Sequence, residues 1–546
     1  MKRGARFRIP PGLAVVALVS VLSMHTHALA QGRTDIPLKN WGGFAVYRDA
    51  VYDDLERLVT AGLADRVILD TKPLSRIEAA RIVARAIEKI RNDDAGAYNA
   101  RLDLEAVLGR LTEEFRPELQ KLGVSTGAEP SAPPGFFTFL PVDRAQVGAG
   151  YANHNLRLIN NQGRKFFREG NGDLTFETRA QLGDLVSFYL QPELLANAEY
   201  GAARLASGYV KLTLFNVELA VGRESLWWGP ALHGSLILSN NAPPLDQIRI
   251  GSAEPFLLPW IGKWIGPMKI LGFVGQLENY PQDPHTKLGG LRLTLAPFSF
   301  LELGASRAIM FDGDNRPRLS VSEYYQIIDP TTGDTGTQSK FRTNNLAGVD
   351  ADFRLRNVNR YYLPARDLRL YGEFYWDDTC GECANNNFFA ANFLPGENTT
   401  GWRVGLQLLG AMNQDGLDAR VEVARTSVLS YNHSQFRDGY VDSRFVLGDF
   451  IGTDGEDAYG RVSYFVNENM VLGLEIDRAV VGSTVAGFTG PKERRLGGGL
   501  DLSYRFWKRY SIFAQYQVMD VKNRNFKPGD DGLDHLLRLE LTRSFR

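Results

Sequence analysis

Cysteine is almost missing from this chain: its 546 residues include two, Cys380 and Cys383. Disulfides therefore do not hold the fold together, and four zinc ligands cannot be assembled around this pair. The Cys-Gly-Glu-Cys spacing, set in a polar, Asn-rich stretch, reads as a small loop disulfide, with redox or metal chemistry as the alternative. Long apolar runs are also lacking. No segment after Leu22 approaches the roughly 20 apolar residues that cross a bilayer as a helix, which excludes a helical inner-membrane protein. Neither sign of charge dominates, with 62 Lys plus Arg against 63 Asp plus Glu. No Gly-x-Ser-x-Gly elbow or His-Glu-x-x-His helix occurs, and the seven histidines lie scattered. His233 and Ser235 stand two residues apart, a spacing that does not by itself make a base and its nucleophile. The expectation is a protein that is not an enzyme, without cofactor or metal. Asp312-Gly-Asp314 lacks the full ligand spacing of an EF-hand and reads as a solvated loop.

What the N-terminus does contain is an export signal. Lys2, Arg3, Arg6 and Arg8 precede an apolar run from Leu13 to Leu22, and Ala28-Leu29-Ala30 offers small residues at cleavage spacing. Residues 1–30 are read as a signal peptide, with Gln31 first in the mature chain. Losing the four basic residues of that leader leaves 58 Lys plus Arg against 63 Asp plus Glu, a mild acidity that argues against nucleic acid as a partner.

Residues 31–125 carry helical periodicity. Ser75 and Glu78 make a capping box just after Pro73, and Ile77, Ala80, Val83, Ile87 and Ile90 fall on one face with Arg81, Arg85, Glu88 and Lys89 on the other. A second stripe runs through Leu104, Leu108, Leu111, Phe115, Leu119 and Leu122. The stretches Tyr52 to Gly62 and Pro73 to Ala80 resemble the helix, Gly turn and helix of surface-layer-homology modules, which implies contact with peptidoglycan; the plainer reading is a small helical bundle. Residues 126–144, which include Glu129-Pro-Ser-Ala-Pro-Pro-Gly135, are read as a linker.

From about Ala145 to the C-terminus the period becomes two. Leu496, Gly498, Leu500, Leu502, Tyr504 and Phe506 alternate with Arg495, Asp501, Ser503 and Arg505, and Asp350, Asp352 and Arg354 alternate with apolar neighbours. Strands of about ten residues with charges in series on one face fit a transmembrane barrel better than a sandwich: the charged side faces a wet lumen and the apolar side meets lipid. Tyr504, Phe506, Trp507 and Tyr510 form an interfacial cluster, and Trp507-Lys508-Arg509 is a tight reversal. The fold class expected is mainly β: a large antiparallel transmembrane β-barrel of about 16 to 18 strands over residues 145–546, preceded by a small periplasmic α-helical region. Such a lumen is too wide for its own side chains to fill, so something must occupy it.

The alternation breaks at Gly222 to Arg249, where Trp227-Trp228-Gly229-Pro230 cannot continue a strand because Pro lacks the ladder donor. Pro255, Pro259, Trp260, Trp264 and Pro267 extend the break, so residues 222–267 are read as an inward or plug segment. The pieces Arg223-Glu224, Trp227-Trp228-Gly229-Pro230 and Ser239-Asn240-Asn241-Ala242-Pro243 resemble the signature of the Wzi-type capsule assembly proteins. That resemblance implies an outer-membrane, lectin-like monomer that holds capsular or other surface polysaccharide without catalysis. Aromatic faces suit sugar C–H surfaces, and amides, carboxylates and guanidiniums suit hydroxyls. The candidate polysaccharide-binding residues are Arg223, Glu224, Trp227, Trp228, Asn240, Asn241, Trp260 and Trp264; the same aromatics would equally serve to pack a plug. The alternative is a wall-attached diffusion porin, unselective or carbohydrate-selective, and the two readings differ in whether the lumen conducts.

Overall fold

The computed structural model describes residues 33–39, 50–92, 102–125, 136–197, 199, 201–277, 284–314, 316, 320, 323, 343–377 and 398–545. Residues 1–30, read above as an export leader, and Cys380 and Cys383, read as a loop disulfide, lie outside these residues. Eighteen antiparallel strands close into one barrel. In chain order they are β1 Phe137–Ala152, β2 Glu169–Leu182, β3 Val186–Asn197, β4 Gly201–Leu214, β5 Val217–Glu224, β6 Leu245–Ser252, β7 Met268–Gln276, β8 Lys287–Phe298 and β9 Leu301–Phe311. Then come β10 Asn344–Leu355, β11 Ala365–Asp377, β12 Thr400–Ala411, β13 Leu417–Thr426, β14 Glu456–Asn467, β15 Met470–Val481, β16 Glu493–Phe506, β17 Tyr510–Lys522 and β18 Gly532–Ser544. Pairing of β1 with β18, from Arg144 opposite Ser544 to Ala152 opposite Leu536, completes the ring. No backbone donor is then left facing lipid at an open edge, where each would cost several kcal/mol. β1 starts inside the stretch read as linker. Its ladder to β2 shifts register between Leu140 and Arg144, around Pro141, which has no N–H to donate.

Burial is inverted relative to a water-soluble protein. Ile476, Leu500 and Leu539 are more than half exposed on the outside, whereas Asp352, Arg369 and Arg403 are fully buried on the lumen side. The alternation puts hydrocarbon against lipid and charge inside. Connections at one end are short, as at 215–216, 299–300, 468–469 and 507–509, and those at the other end are long, as at 427–455. The short end therefore faces the periplasm and the long loops face outward. Exposed Phe136, Phe215, Tyr361, Tyr362 and Trp507 ring the short end, where a bilayer interface accommodates amphipathic rings. Tyr504, Phe506, Trp507 and Tyr510 make mutual ring contacts of 5.2 to 6.0 Å there.

Helices α1 (Val51–Thr60), α2 (Arg76–Arg91), α3 (Leu102–Glu114) and α4 (Arg116–Lys121) close this periplasmic end. Ser75 caps α2 by accepting from the Glu78 N–H at 3.3 Å. Glu78 does not complete the box; its carboxylate takes Lys269 of β7 at 2.8 Å, so the cap residue ties the helix to the wall. Polar residues of α1 do the same. Asp53 meets Arg420, Glu56 meets Arg369 and Arg57 pairs with Asp418. These are residues of the surface-layer-homology resemblance, and the barrel floor already occupies them; no comparison supports that resemblance.

Candidate functional site: the luminal strap and the outer cleft

Between β5 and β6 the chain leaves the wall as a strap over residues 225–244 and crosses the lumen. The segment read as a single inward stretch is thus three things: the strap, strand β6, and a periplasmic loop at 253–267. Trp227 and Trp228 pair antiparallel with Lys72 and Thr71, so the helical unit and the strap share a two-stranded ribbon inside the barrel. Gly229 has φ +146°, and a Cβ there would lie 2.2 Å from the Glu373 carboxylate, so only glycine lets the strap come this close to the wall. Wall carboxylates then satisfy strap amides: Glu422 accepts from Leu232 and His233 at 2.8 and 3.0 Å, and Glu373 accepts from Leu236 at 2.9 Å. From above, the 427–455 loop folds in. Tyr431 and Tyr440 donate to the Leu236 and Ile237 carbonyls, and Ser239 donates to the Gly448 carbonyl.

The eight residues expected to bind glycan do not form one surface. Trp227, Trp228 and Asn240 are fully enclosed, with Asn240 donating to the Leu38 carbonyl at 2.6 Å. Asn241 is buried and donates to the Val446 carbonyl. Glu224 is buried against Arg249 at 2.8 Å. Arg223 points outward from β5 and pairs with Asp246 at 2.6 Å. Trp260 and Trp264 are exposed on the periplasmic loop, at the opposite end of the barrel from the strap's outer surface, where they join the interfacial ring. The Trp pair is packing for the plug: an enclosed indole has no face left for a sugar. Ser235 donates to the Trp228 carbonyl and Glu373, while the His233 ring faces Asp457 and Asp477, so the two make no dyad. Burial opposes a charge on His233, but Asp457 and Asp477 outweigh it and hold the imidazolium up to about 9. Asp312 and Asp314 pair with Lys287 and His285.

The outer end offers a different site. A cleft open to solvent lies between the hairpin at 156–166 and the upper ends of β16, β17 and β18. Its lining mixes Asn161, Glu493, Gln515, Gln517, Arg524 and Asp534 with Leu158, Ile159 and Met519. At its mouth Arg157 donates to the Arg444 carbonyl, and Lys165 lies across the Phe445 ring. Burial, with Arg157 and Arg444 adding repulsion, pushes the Lys165 ammonium below its ordinary range. Burial likewise lowers Arg157 against the pull of Glu493, with Arg444 and Arg495 contributing. These three cations have no carboxylate partner among the described residues.

The profile of the capsule assembly protein Wzi family matches residues 144–536. The chain belongs to that family. It is 27% identical over 363 residues to an uncharacterized 55.8 kDa protein in the cps region of Klebsiella pneumoniae, covering 66% of this chain and 62% of the relative. The chain thus spans less than two thirds of that curated relative's length. Its fold is that of Wzi of Escherichia coli, described as an outer membrane protein involved in group 1 capsule assembly and a carbohydrate-binding β-barrel. The TM-score is 0.65 at 22% identity, over 90% of this chain and 97% of that one. OprD of Pseudomonas aeruginosa follows at TM-score 0.42 and 10% identity, over 73% and 93% of the two chains.

Family membership explains why the strap signature was readable in the sequence. The inward loop at 427–455 was not read at all, although Tyr431, Phe436, Tyr440, Leu447 and Phe450 are apolar side chains that a solvated outer loop would not need. The cations of the cleft mouth were missed because Arg157, Lys165 and Arg444 are brought together only by the hairpin and that loop.

Proposed function

We propose that this member of the Wzi family binds exported polysaccharide at the cell surface and anchors it there without chemical change, at the outer cleft rather than at the strap. The observation that carries this reading is a cationic mouth, with no ion-paired carboxylate among the described residues, on an otherwise amide-, carboxylate- and guanidinium-lined cleft at the outward end. Amides and charged pairs suit sugar hydroxyls, and three cations without an ion-paired carboxylate suit a polymer bearing carboxylates, so the ligand is an acidic polysaccharide. The strap's role is structural: it seals the lumen beneath the cleft, which counts against the porin reading.

Replacing Arg157, Lys165 and Arg444 together by Ala removes exposed charge without touching the wall. The expected loss is about 2 kcal/mol, roughly thirtyfold in affinity for a uronate-containing polysaccharide, with cell-bound capsule falling in step. Binding of a neutral glucan should be low and insensitive to the triple substitution. Unchanged capsule retention with a correctly folded triple variant would refute the cleft as the anchoring site.

A further inference from the structure

His233 of the strap meets the wall inside a group of acids that the glycan reading does not use. Its Nε2 lies 3.9 Å from Asp457 of β14 and 3.7 Å from Asp477 of β15, and all three residues are buried. The ring is held in place: it stacks on Tyr459 at 3.9 Å and 5°, and meets the edge of Phe450 at 5.3 Å. The three ligand atoms lie within 4.8 Å of one another. Atoms bound to one metal at about 2.0 to 2.2 Å stand some 3 to 4 Å apart, so these three fit around a single ion with small adjustments.

Charge points the same way. Asp449 and Glu422 lie just beyond, and one guanidinium, Arg403, serves Asp449 and Asp457 at 2.8 Å and Glu422 at 3.1 Å. None of it reaches Asp477, whose two oxygens are buried, meet no donor within hydrogen-bond distance among the described residues, and face the His233 ring at 3.7 Å. Arg420 and Arg495 nearby have carboxylate partners of their own. A second buried acidic group, Asp70, Glu302 and Asp352, is better supplied with donors, although both Asp70 oxygens accept no hydrogen bond among the described residues and meet Arg369 only at 3.6 Å. Arg354 meets Glu302 at 2.7 Å and Asp352 at 2.5 Å, Arg369 takes Asp352 at 2.9 Å, and the Leu69 and Asp70 amides donate to Glu302. Around His233 the described residues supply fewer: Arg403 reaches Asp457 at 2.8 Å, and Asp477 faces the His233 ring at 3.7 Å. An uncompensated buried carboxylate is costly, and either a proton or a cation must answer it.

We propose that His233, Asp457 and Asp477 hold a divalent transition-metal cation that staples the strap to the barrel wall. One imidazole nitrogen with two carboxylate oxygens suits zinc or manganese, and a dication offsets the surplus of carboxylates better than a single proton on His233 does. Because two ligands are on the wall and one is on the strap, binding and closure of the lumen are coupled. The enclosed site loads as the strap seats and then exchanges slowly.

The test folds the mature protein from urea into detergent micelles with Zn²⁺ or with EDTA, removes loose metal, and measures bound zinc. About one zinc per chain is expected for the natural sequence, and less than roughly a tenth of that for Asp477→Asn folded the same way. Absorption at the zinc edge should show imidazole and oxygen scatterers. Less than about a fifth of a zinc per chain, equal zinc in Asp477→Asn, or a sulfur shell would each overturn the proposal and leave a proton as the occupant. If Asp477→Asn fails to regain the compact gel mobility of a folded barrel, stoichiometry and edge spectrum of the natural sequence decide alone.

Discussion

Arg369 shows what a single buried charge does in this lumen. It sits on β11 with no exposure, takes both Asp352 oxygens at 2.9 and 3.0 Å, meets Glu56 of α1 at 2.9 Å, and donates to the Pro230 carbonyl of the strap at 2.9 Å. Wall, helix and strap converge on one guanidinium. Arg369→Ala leaves Asp352 to Arg354 and Glu56 to Lys72 and Arg420, and removing one partner of a buried set costs about 3 kcal/mol. The loss should be local, seen as protease cleavage within residues 50–92 at concentrations that leave the natural protein intact, while the barrel keeps its heat-modifiable mobility. A variant as resistant as the parent would show that the shared contact is not what seats the helices. At this scale the sequence was half legible. The charged positions of the strands were read as luminal and are, yet the Trp pair stayed open between a glycan face and plug packing. A Trp-Trp-Gly-Pro run says that large rings leave the strand; it does not say whether a sugar or the protein's own wall covers them.

Elements were the most legible level, because period two and period 3.6 are imposed by backbone geometry and survive without any knowledge of partners. The barrel strands and the two helical stripes follow from it; of the capping box read from Ser75 and Glu78, only the Ser75 half forms. Boundaries fixed by tertiary contact did not: β1 begins in a Pro-rich stretch, and β6 hides within what read as one plug because its eight residues lie between two breaks. The short segment at 33–39 has no periodicity and so gave no signal, yet it is anchored firmly. Asp35 meets Lys211 of β4 at 2.5 Å and Arg249 of β6 at 2.7 Å, with Glu218 and Glu224 on the same cations. Burial alone would raise its carboxyl, but the two cations outweigh that and hold it down to about 2. A depressed carboxylate stabilises above its unfolded value near 4 and loses that contribution as pH falls through about 2, in all about 2 kcal/mol. The melting temperature of Asp35→Asn should therefore lie below that of the parent at pH 6, and the gap should close between pH 4 and pH 2. A gap that stays constant over that range would mean that the segment is held by something other than this charge.

The whole molecule is a ring of hydrogen bonds with separate tenants inside it. Closure of β1 on β18 needs no residue before Phe137, whereas the strap depends on the helical unit for the Thr71–Trp228 and Lys72–Trp227 pairs and for the bond from Gly229 to the Asp70 carbonyl. The ring and its contents are thus energetically separable. Wall charges such as Asp418 and Arg420, which now face Arg57 and Asp53, would be met by water if the helices were absent, so their desolvation cost disappears with their partners. Removing residues 31–125 while keeping residues 1–30 should give a barrel that still reaches the membrane and still shows heat-modifiable mobility. In planar bilayers the full-length protein is expected to be nearly silent, because strap, 427–455 loop and helices fill the lumen from both ends. The shortened chain should open in frequent, noisy steps as the strap loses its ribbon partner. Steady, large openings from the full-length protein would reverse this ordering and restore the channel reading that the filled lumen argues against.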